Sequence, residues 1–589
     1  MIQIKRQQSL SQSIDVEMKK LQTRLSDERT SYTCFESLSN ELLYEIFEYL
    51  DACDIYKSFS NLNIRLQNLI ISSSLLLRIE LVPESKHLLE DHCQHVIIPN
   101  SHRILSLHLA SDSTDPSLID TFFNHCTIDG SFHRLESIIL KGIKTEKLLA
   151  TLYYLKSLPR LFSLTISVKA NDYYDLGNIY PLIFSLPALK YNRLSRSIHA
   201  REINIPYVIN QKFSTIQYLI IDHTCTFTQL NSILHYTPQL RHLYCDLVMD
   251  SKEEFKNDLS MKLPHLKSLY IQQSEASFDE FEMFIKAISS PLQILNISVF
   301  WGEDYLDDNG CERLIKKYMP QLEKFSFHFN HIIHDDITKD LIDLINGFIN
   351  QLSSPFWIER NWFRGIIIDS ENIVFSIHPY RKEWIDLHEH MKSDHRIMQL
   401  IIMNNQFTEL TWRFIKKLKR ASKAIHFTHL DIEGGSMCIH RLLDILSSLP
   451  NIKSLKLSSP SIFPLKSLPI ENTENYRSVL AINKITQVKL GQVTEEQEEQ
   501  QIQFFINLCP HIEYLGVECM SNTDVPSLMK LILMNRRTRI PNLCYLCFIN
   551  PIADENMVRT LAMIIDSETV NDNYTIQRSG KKISVQWKL

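Results

Sequence analysis

Glycine is scarce in this chain: 12 of 589 residues, about 2% where about 7% is usual. A glycine-dependent phosphate cradle has no place here. Neither GxxxxGK(S/T) nor GxGxxG occurs, and Gly434 and Gly435 are the only adjacent pair. No run of about 18 uncharged apolar residues is present, which removes a membrane-spanning helix, and the N-terminal MIQIKRQQSLSQSIDVEMKK lacks the apolar centre of a signal peptide. A block of positive charge is also missing. The 62 Lys plus Arg stand against 68 Asp plus Glu, a formal charge of −6, without the concentrated basic face that nucleic acid requires. The expectation is a soluble chain in the cytoplasm or nucleus, with no nucleic-acid and no membrane partner.

Cysteine is not dense either, and most of the 12 lie inside apolar runs such as LYCDL and LCYLCF. That usage suits reduced core thiols. Cys544 and Cys547 form a CxxC, but no second pair has metal-ligand spacing and both fall in a strand-like run. Histidines gather in HLLEDHCQH (87–95), HIIHDD (331–336) and HEHMKSDH (388–395) without the HExxH spacing, and 23 histidines bring some together by chance. DYLDDNG (304–310) has the outline of a calcium loop, yet Leu306 stands where a second oxygen ligand is needed. No GxSxG surrounds a serine, and no Cys-His protease or ligase signature is present. No catalytic residue, metal site or cofactor is therefore expected, and the chain is not expected to be an enzyme.

What is present is a repeat. LPRLFSLTI (158–166), TPQLRHLYC (237–245), LPHLKSLYI (263–271), MPQLEKFSF (319–327), LPNIKSLKL (449–457), CPHIEYLGV (509–517) and IPNLCYLCF (540–548) share the frame Pro-x-Φ-x-x-Φ-x-Φ, with Φ apolar. Eight of the 21 prolines (159, 187, 238, 264, 320, 450, 510 and 541) stand two residues before the first Φ, where scattered placement predicts about one. In the 187 unit Asn192 takes the middle apolar place. First apolar positions run from Ile104 through Leu322 and resume at Ile397, at spacings of about 24–33 residues. The last Φ-x-Φ reads as a short strand with Φ inward and x outward. FDEFEMFIKAISS (278–290) and EEQEEQQIQFFINLC (495–509) read as returning helices. Proline ends each helix, having no N–H and disfavouring helix in the residue before it. The pattern resembles the leucine-rich repeat, whose usual Asn or Cys after the strand is clear only at Asn330.

Between Leu322 and Ile397 the repeat falters. SSPFWIERNWFRGIIIDSENIVFSIHPYRKEW (353–384) intervenes, with two β-rich runs around Ser370-Glu371-Asn372 that read as a hairpin and with Trp357, Trp362 and Trp384 clustered. Such aromatics anchor a partner or pack the segment onto its own scaffold. An enzyme hidden in this stretch would need a pocket of converging ionisable groups.

Before the repeats, NELLYEIFEYL places Leu42, Leu43, Ile46, Phe47 and Leu50 on one helical stripe, with Ser39 or Asn40 as N-cap. Asp51 or Asp54 can cap a second helix bearing Ile55, Tyr56 and Phe59, and Leu62, Leu66, Leu69 and Ile70 mark a third. Residues 34–75 resemble an F-box: Leu38, Glu41, Leu42, Ile46, Phe47, Leu50, Asp54, Ile55 and Arg65 stand at the family's places, while Ser39 replaces its proline and NLNIRL its Cys-x-x-Trp. The resemblance implies binding to a Skp-type adaptor, through it to a cullin, with an unknown protein substrate captured by the repeats and ubiquitin transfer carried out by other subunits. It implies adaptor contact through Leu38, Leu42, Ile46, Phe47, Leu50 and Ile55. The outward strand positions Thr165, His242, Tyr244, Tyr270 and Lys456, with Trp357 and Trp362, are the substrate-contact candidates.

The expected fold is α/β, a leucine-rich-repeat solenoid of horseshoe type preceded by a small three-helix F-box domain. Its parts are a polar segment 1–32, the F-box-like region 33–80, repeats 81–330, an aromatic-rich stretch with a β-hairpin 331–396, and repeats with a cap 397–589. The competing expectation is a non-catalytic interaction scaffold whose degenerate F-box recruits no ligase and merely caps the repeats.

Overall fold

The computed structural model describes residues 35–81, 86–110, 117–169, 176–196, 213–249, 263–288, 291–300, 303–306, 310–332, 347, 354–360, 362–368, 372–379, 398–403, 427–434, 436–458, 461–463, 473–491, 498–568 and 573–588. The polar segment 1–32, Ser370, Glu371, Trp384, Ile397 and the histidines of 388–395 lie outside these. The chain divides into two compact units, Met1–Ile143 with Tyr154–Phe162, and Lys144–Tyr153 with Ser163–Leu589.

The first unit opens with three short helices, each started by a polar side chain. Ser39 Oγ accepts from Leu42 N (3.4 Å) before α1 (Asn40–Glu48), Asp51 Oδ1 from Cys53 N (2.7 Å) before α2 (Ala52–Phe59), and Asn63 Oδ1 from Leu66 N (2.8 Å) before α3 (Ile64–Ile71). Helices of this length do not persist alone, so packing must hold them. Leu43, Phe47, Ile55, Leu66, Leu69 and Ile70 are buried, and the Phe59 ring lies 5.6 Å from that of Phe35 and 5.2 Å from that of Phe47. Arg65 fastens the turn leading into α1: its guanidinium donates to Glu36 O and Leu38 O (both 2.6 Å) and to Asn40 Oδ1 (2.7 and 2.9 Å). Ser39 thus serves as a cap where the family pattern has proline, and Arg65 holds the turn.

Strands β1 (Leu77–Leu81), β2 (Ile104–Ala110) and β3 (Ser137–Ile143) follow, paired in parallel. Asp51 Oδ2 accepts from Glu80 N (2.5 Å), so the α2 cap also fixes the helices to β1. Below them lies Arg103, 1% exposed. It donates to Ser72 O (2.8 Å), Leu75 O (3.4 Å), Tyr56 Oη (2.6 Å) and Asn100 Oδ1 (2.7 and 2.9 Å). Tyr56 Oη in turn donates to Asn100 Oδ1 (3.1 Å), and Asn100 Nδ2 donates to Val96 O (2.6 Å). Burial pushes the guanidinium below its usual range, and none of the ion pairs among the described residues includes it. Neutral oxygens alone solvate this charge.

In the second unit β4 (Ser163–Val168), β5 (Tyr191–Arg196), β6 (Tyr218–Thr226), β7 (His242–Met249), β8 (Ser268–Ser274), β9 (Ile294–Phe300) and β10 (Lys324–Ile332) pair in chain order, all parallel. Every proline of the repeat frame stands four residues before the first residue of a strand, as Pro159 does before Ser163 and Pro264 before Ser268. The reason is local. Leu266 N donates to Leu263 O (3.2 Å), Leu322 N to Met319 O (3.1 Å) and Leu543 N to Ile540 O (3.1 Å), so the proline sits second in a β-turn, where its fixed φ fits and its missing N–H costs nothing. Returning helices bury a three-and-four-spaced face, as Phe278, Phe281, Phe284, Ile285 and Ile288 do in Phe278–Ile288.

The faltering stretch holds a hairpin that belongs to the ladder. β11 (Phe363–Ile368) and β12 (Asn372–His378) are antiparallel, β12 lies between β10 and β11, antiparallel to both, and β13 (Met398–Met403) pairs in parallel with β11. Then β14 (His429–Glu433), β16 (Ser454–Leu457), β18 (Gln487–Leu490), β19 (Tyr514–Glu518) and β20 (Tyr545–Ile549) resume the parallel order, with β15 (Ser436–Cys438) and β17 (Ser461–Phe463) as a separate parallel pair. Helix Glu555–Glu568 leads to a final hairpin, β21 (Tyr574–Ser579) and β22 (Lys582–Trp587), whose β22 pairs antiparallel with β20. Repeat-type α/β architecture therefore fills this unit. Asn330 Nδ2 reaches Ser298 Oγ (2.9 Å), and the fully buried Asn550 donates to Met520 O (3.2 Å) and accepts from Ile552 N (2.9 Å), supplying the post-strand turn one place earlier than the frame suggests.

Candidate interaction surfaces

The helices of the first unit place the six expected adaptor-contact residues in different settings. Leu42 is exposed, and Leu38, Ile46 and Leu50 are half-buried. Phe47 and Ile55, 1% exposed each, hold the helices together from inside, which corrects the expectation that they face a partner. Apolar surface comes instead from Tyr49 (88% exposed), Ile64 (81%), Leu62, Ile71 and Phe35. Helical periodicity missed them because they lie at turns and helix ends, where a 3.6-residue period does not say which side faces outward. The turn Tyr49-Leu50-Asp51 also roofs a hollow of about 360 Å³ on the outer face of β1–β3, lined with Arg78, Glu80 and His108. There His108 Nδ1 pairs with Glu80 Oε1 at 2.9 Å.

On the outward face of the second unit, strand register lines up side chains far apart in sequence. Thr165, Arg193, Ile220, Tyr244 and Tyr270 occupy one row across β4–β8. Tyr218, His242 and Ser268 form the row beside it. The His242 ring lies flat on Tyr218, with centroids 4.4 Å apart and planes 13° apart, and its Nδ1 is hydrogen-bonded to Ser268 Oγ. Burial, then the charges of Arg241 and Lys267, hold its pKa below the usual range, so the ring is neutral at pH 7. Thr165, His242, Tyr244 and Tyr270 therefore share one surface.

A bulge modifies it. Between Ile221 and Thr224 the β6–β7 register shifts, which sends His223 into the core and leaves Asp222 facing Arg193. Nε and Nη2 of Arg193 reach Asp222 Oδ2 at 3.1 and 2.5 Å. His223 is buried, accepting from Tyr180 Oη at Nε2 (2.6 Å) and donating from Nδ1 to Thr224 O (3.0 Å). Arg193, Tyr218, Asp222 and Asp246 were missed as surface residues, although an outward strand position was a sufficient signal for Arg193 and Tyr218.

Lys456 stands apart, in the row Asp431, Lys456, Lys489, Gly516 across β14–β19. Its Nζ contacts Asp431 Oδ2 (2.7 Å) and Glu433 Oε1 (3.3 Å), and Lys489 pairs with Glu518 (3.1 Å). Burial pushes Asp431 up to about 6 against the pull of Lys456, while Asp431 and Glu433 raise Lys456 against its own burial. Asp431 Oδ1 is buried without a hydrogen-bond partner. The Tyr514 hydroxyl covers the gap left by Gly516, and a Cβ there would meet it at 3.1 Å.

Trp357 and Trp362 do not reach this surface. Both are buried, packing on Phe325 at 5.9 and 5.5 Å between centroids, while Arg360 lies over Phe356 and Trp362 and donates to Leu322 O (2.6 Å). Their expected substrate role gives way to packing, because a hairpin added to the ladder needs apolar mass behind it. Among the described residues no group of three His, Cys, Asp or Glu could hold a metal ion, and no helix is long and apolar enough to cross a membrane.

No family model matches the chain, and no curated protein matches it. Among solved structures it is similar to a chain from the crystal structure of the Rad7 and Elc1 complex in yeast, at 11% identity and a TM-score of 0.21, over 88% of this chain and 94% of that one.

Proposed function

We propose that the chain is the substrate-recognition subunit of a Skp-cullin-F-box type ubiquitin ligase. In this reading the N-terminal helices take a Skp-type adaptor and through it a cullin, the outward strand face takes the protein to be ubiquitylated, and transfer chemistry resides in other subunits. The observation that carries it is the exposure of Leu42, with Leu38, Ile46 and Leu50 half-buried beside it, on capped helices that carry the F-box pattern and precede a repeat array. A partly exposed apolar stripe on so small a helical element favours a covering surface.

Affinity capture of the tagged full chain from cells tests the reading. Leu42→Asp with Ile46→Asp should abolish recovery of adaptor and cullin, as should removal of residues 34–75, because each buried leucine at an interface contributes about 1.5–3 kcal/mol. Circular dichroism must show the double variant folded. If adaptor and cullin are never recovered, or are recovered equally from all forms, the ligase reading fails and a pure interaction scaffold stands.

A further inference from the structure

We infer that the outward face of β5–β8 recognises a basic side chain, arginine or lysine, presented by a partner protein. The inference rests on reading that face as the substrate surface and adds the chemistry of what it takes.

Aromatic side chains gather on this surface. Tyr218, His242, Tyr244 and Tyr270 stand in two adjacent rows fixed by register, and Tyr218 is 41% exposed. Tyrosine contributes broad contact area at small entropic cost, and its ring face attracts cations. Charge then selects the ligand. Asp222 is bound by Arg193, but Asp246, opposite the bulge, has neither hydrogen bond nor ion pair among the described residues. Its carboxyl is pushed up by partial burial and then by Asp222, against the weaker pull of Arg193. Two aspartates against one arginine leave one negative charge unneutralised beside tyrosine rings. His242 does not offset it, being neutral at pH 7. Arg241 and Lys267, the cations that act on His242, immediately precede β7 and β8, at the opposite end of β7 from Asp246. An anionic partner would meet repulsion there, and a neutral one would leave Asp246 unpaired. A guanidinium or ammonium satisfies both the rings and the carboxylate.

Panning a phage-displayed random heptapeptide library on the immobilised full-length chain tests this, followed by fluorescence anisotropy of labelled selected peptides on the wild type, Asp246→Asn and Tyr270→Ala. Circular dichroism checks that the variants are folded. The expected result is enrichment of arginine or lysine at one position, with about tenfold weaker binding to Asp246→Asn and when that peptide residue becomes glutamine. Peptides whose binding falls with Tyr270→Ala but which carry no required basic residue overturn the basic-ligand inference and leave the surface reading standing. Peptides indifferent to both variants, or no selected peptide at all, overturn both.

Discussion

Replacing Arg103 by Met would test whether a single buried cation organises the first unit. The Arg103 guanidinium makes five hydrogen bonds, to Ser72 O, Leu75 O, Tyr56 Oη and twice to Asn100 Oδ1, and so joins the end of α3, the middle of α2 and the lead-in to β2. Bonds to a charged group contribute about 1.5–3 kcal/mol each, but the cost of desolvating the guanidinium takes back much of that sum. The expected net loss is the cost of removing one partner from a buried network, about 3–5 kcal/mol. Hydrogen exchange read by mass spectrometry on peptides covering residues 40–81 and 93–110 should then quicken about 100-fold or more, since each 1.4 kcal/mol is about a factor of ten. Adding Tyr56→Phe and Asn100→Leu removes two of the stranded polar groups, so the triple variant should exchange more slowly than Arg103→Met alone. Acceleration of less than about threefold would refute the reasoning. So would a triple variant whose effect is the sum of the three single ones, because the groups would then act independently.

Asn192, fully buried at an apolar repeat position with Oδ1 unpartnered and only Nδ2 donating to Leu164 O (3.1 Å), should give a chain about 1–2 kcal/mol more stable as Asn192→Leu in urea unfolding; a less stable variant contradicts this. Gly491→Ala should lower the unfolding midpoint by an amount equal to about 2–4 kcal/mol, because a Cβ there would lie 2.2 Å from Ser458 O and 2.9 Å from Leu457 O; an unchanged midpoint would show that the backbone yields. Asp431 is raised from 3.8 to about 6, so the native state holds its proton more tightly than the unfolded one. Its charged form therefore costs stability in full above pH 6, at about 1.4 kcal/mol for each tenfold difference in proton affinity between the two states, and the cost fades as pH falls from about 6 to 4. Thermal unfolding of wild type against Asp431→Asn should show the wild type gaining on the variant over that fall. A wild type that loses ground instead would mean that Lys456 lowers the carboxyl.

Much of the repeat was legible because proline marks it. Pro238, Pro320 and Pro510 each announce a strand four residues later, since the turn they occupy has one geometry whatever the helix before it does. The helix starts at Ser39 and Asp51 were equally local, each being decided by one side-chain oxygen, whereas the Asn63 start was not read from the sequence. Placement of the hairpin was not legible. The runs 363–368 and 372–378 look alike whether they stand beside the ladder or inside it, because only pairing with β10 and β13 decides. Nor could Trp362 be distinguished from an exposed anchor without Phe325, which lies far back in sequence. Asp246 matters through a bulge on the neighbouring strand, and the polar spacing of β7 contains no trace of it. Leu43 and Leu42 show the same limit on a helix: one residue apart on the same apolar run, one is buried and the other faces solvent.

The two hairpins are one device used twice. In each, the chain crosses over a vacant lane, lays down a strand, and doubles back to fill the lane, giving β10-β12-β11 and β20-β22-β21. Two reversals cancel, so β11 runs the same way as β10. A single reversal would have obliged every later right-handed crossover to place its helix on the opposite side of the sheet, which makes the array tolerant of extra strands only in even numbers. Whether the ladder then continues is decided by composition. FRGIII in β11 receives β13 along its free edge, whereas YTIQRS in β21, with little of it buried, pairs with β22 alone among the described residues. Polarity of the outer strand thus works as punctuation: the same turn of the chain reads as a comma at β11 and as a full stop at β21.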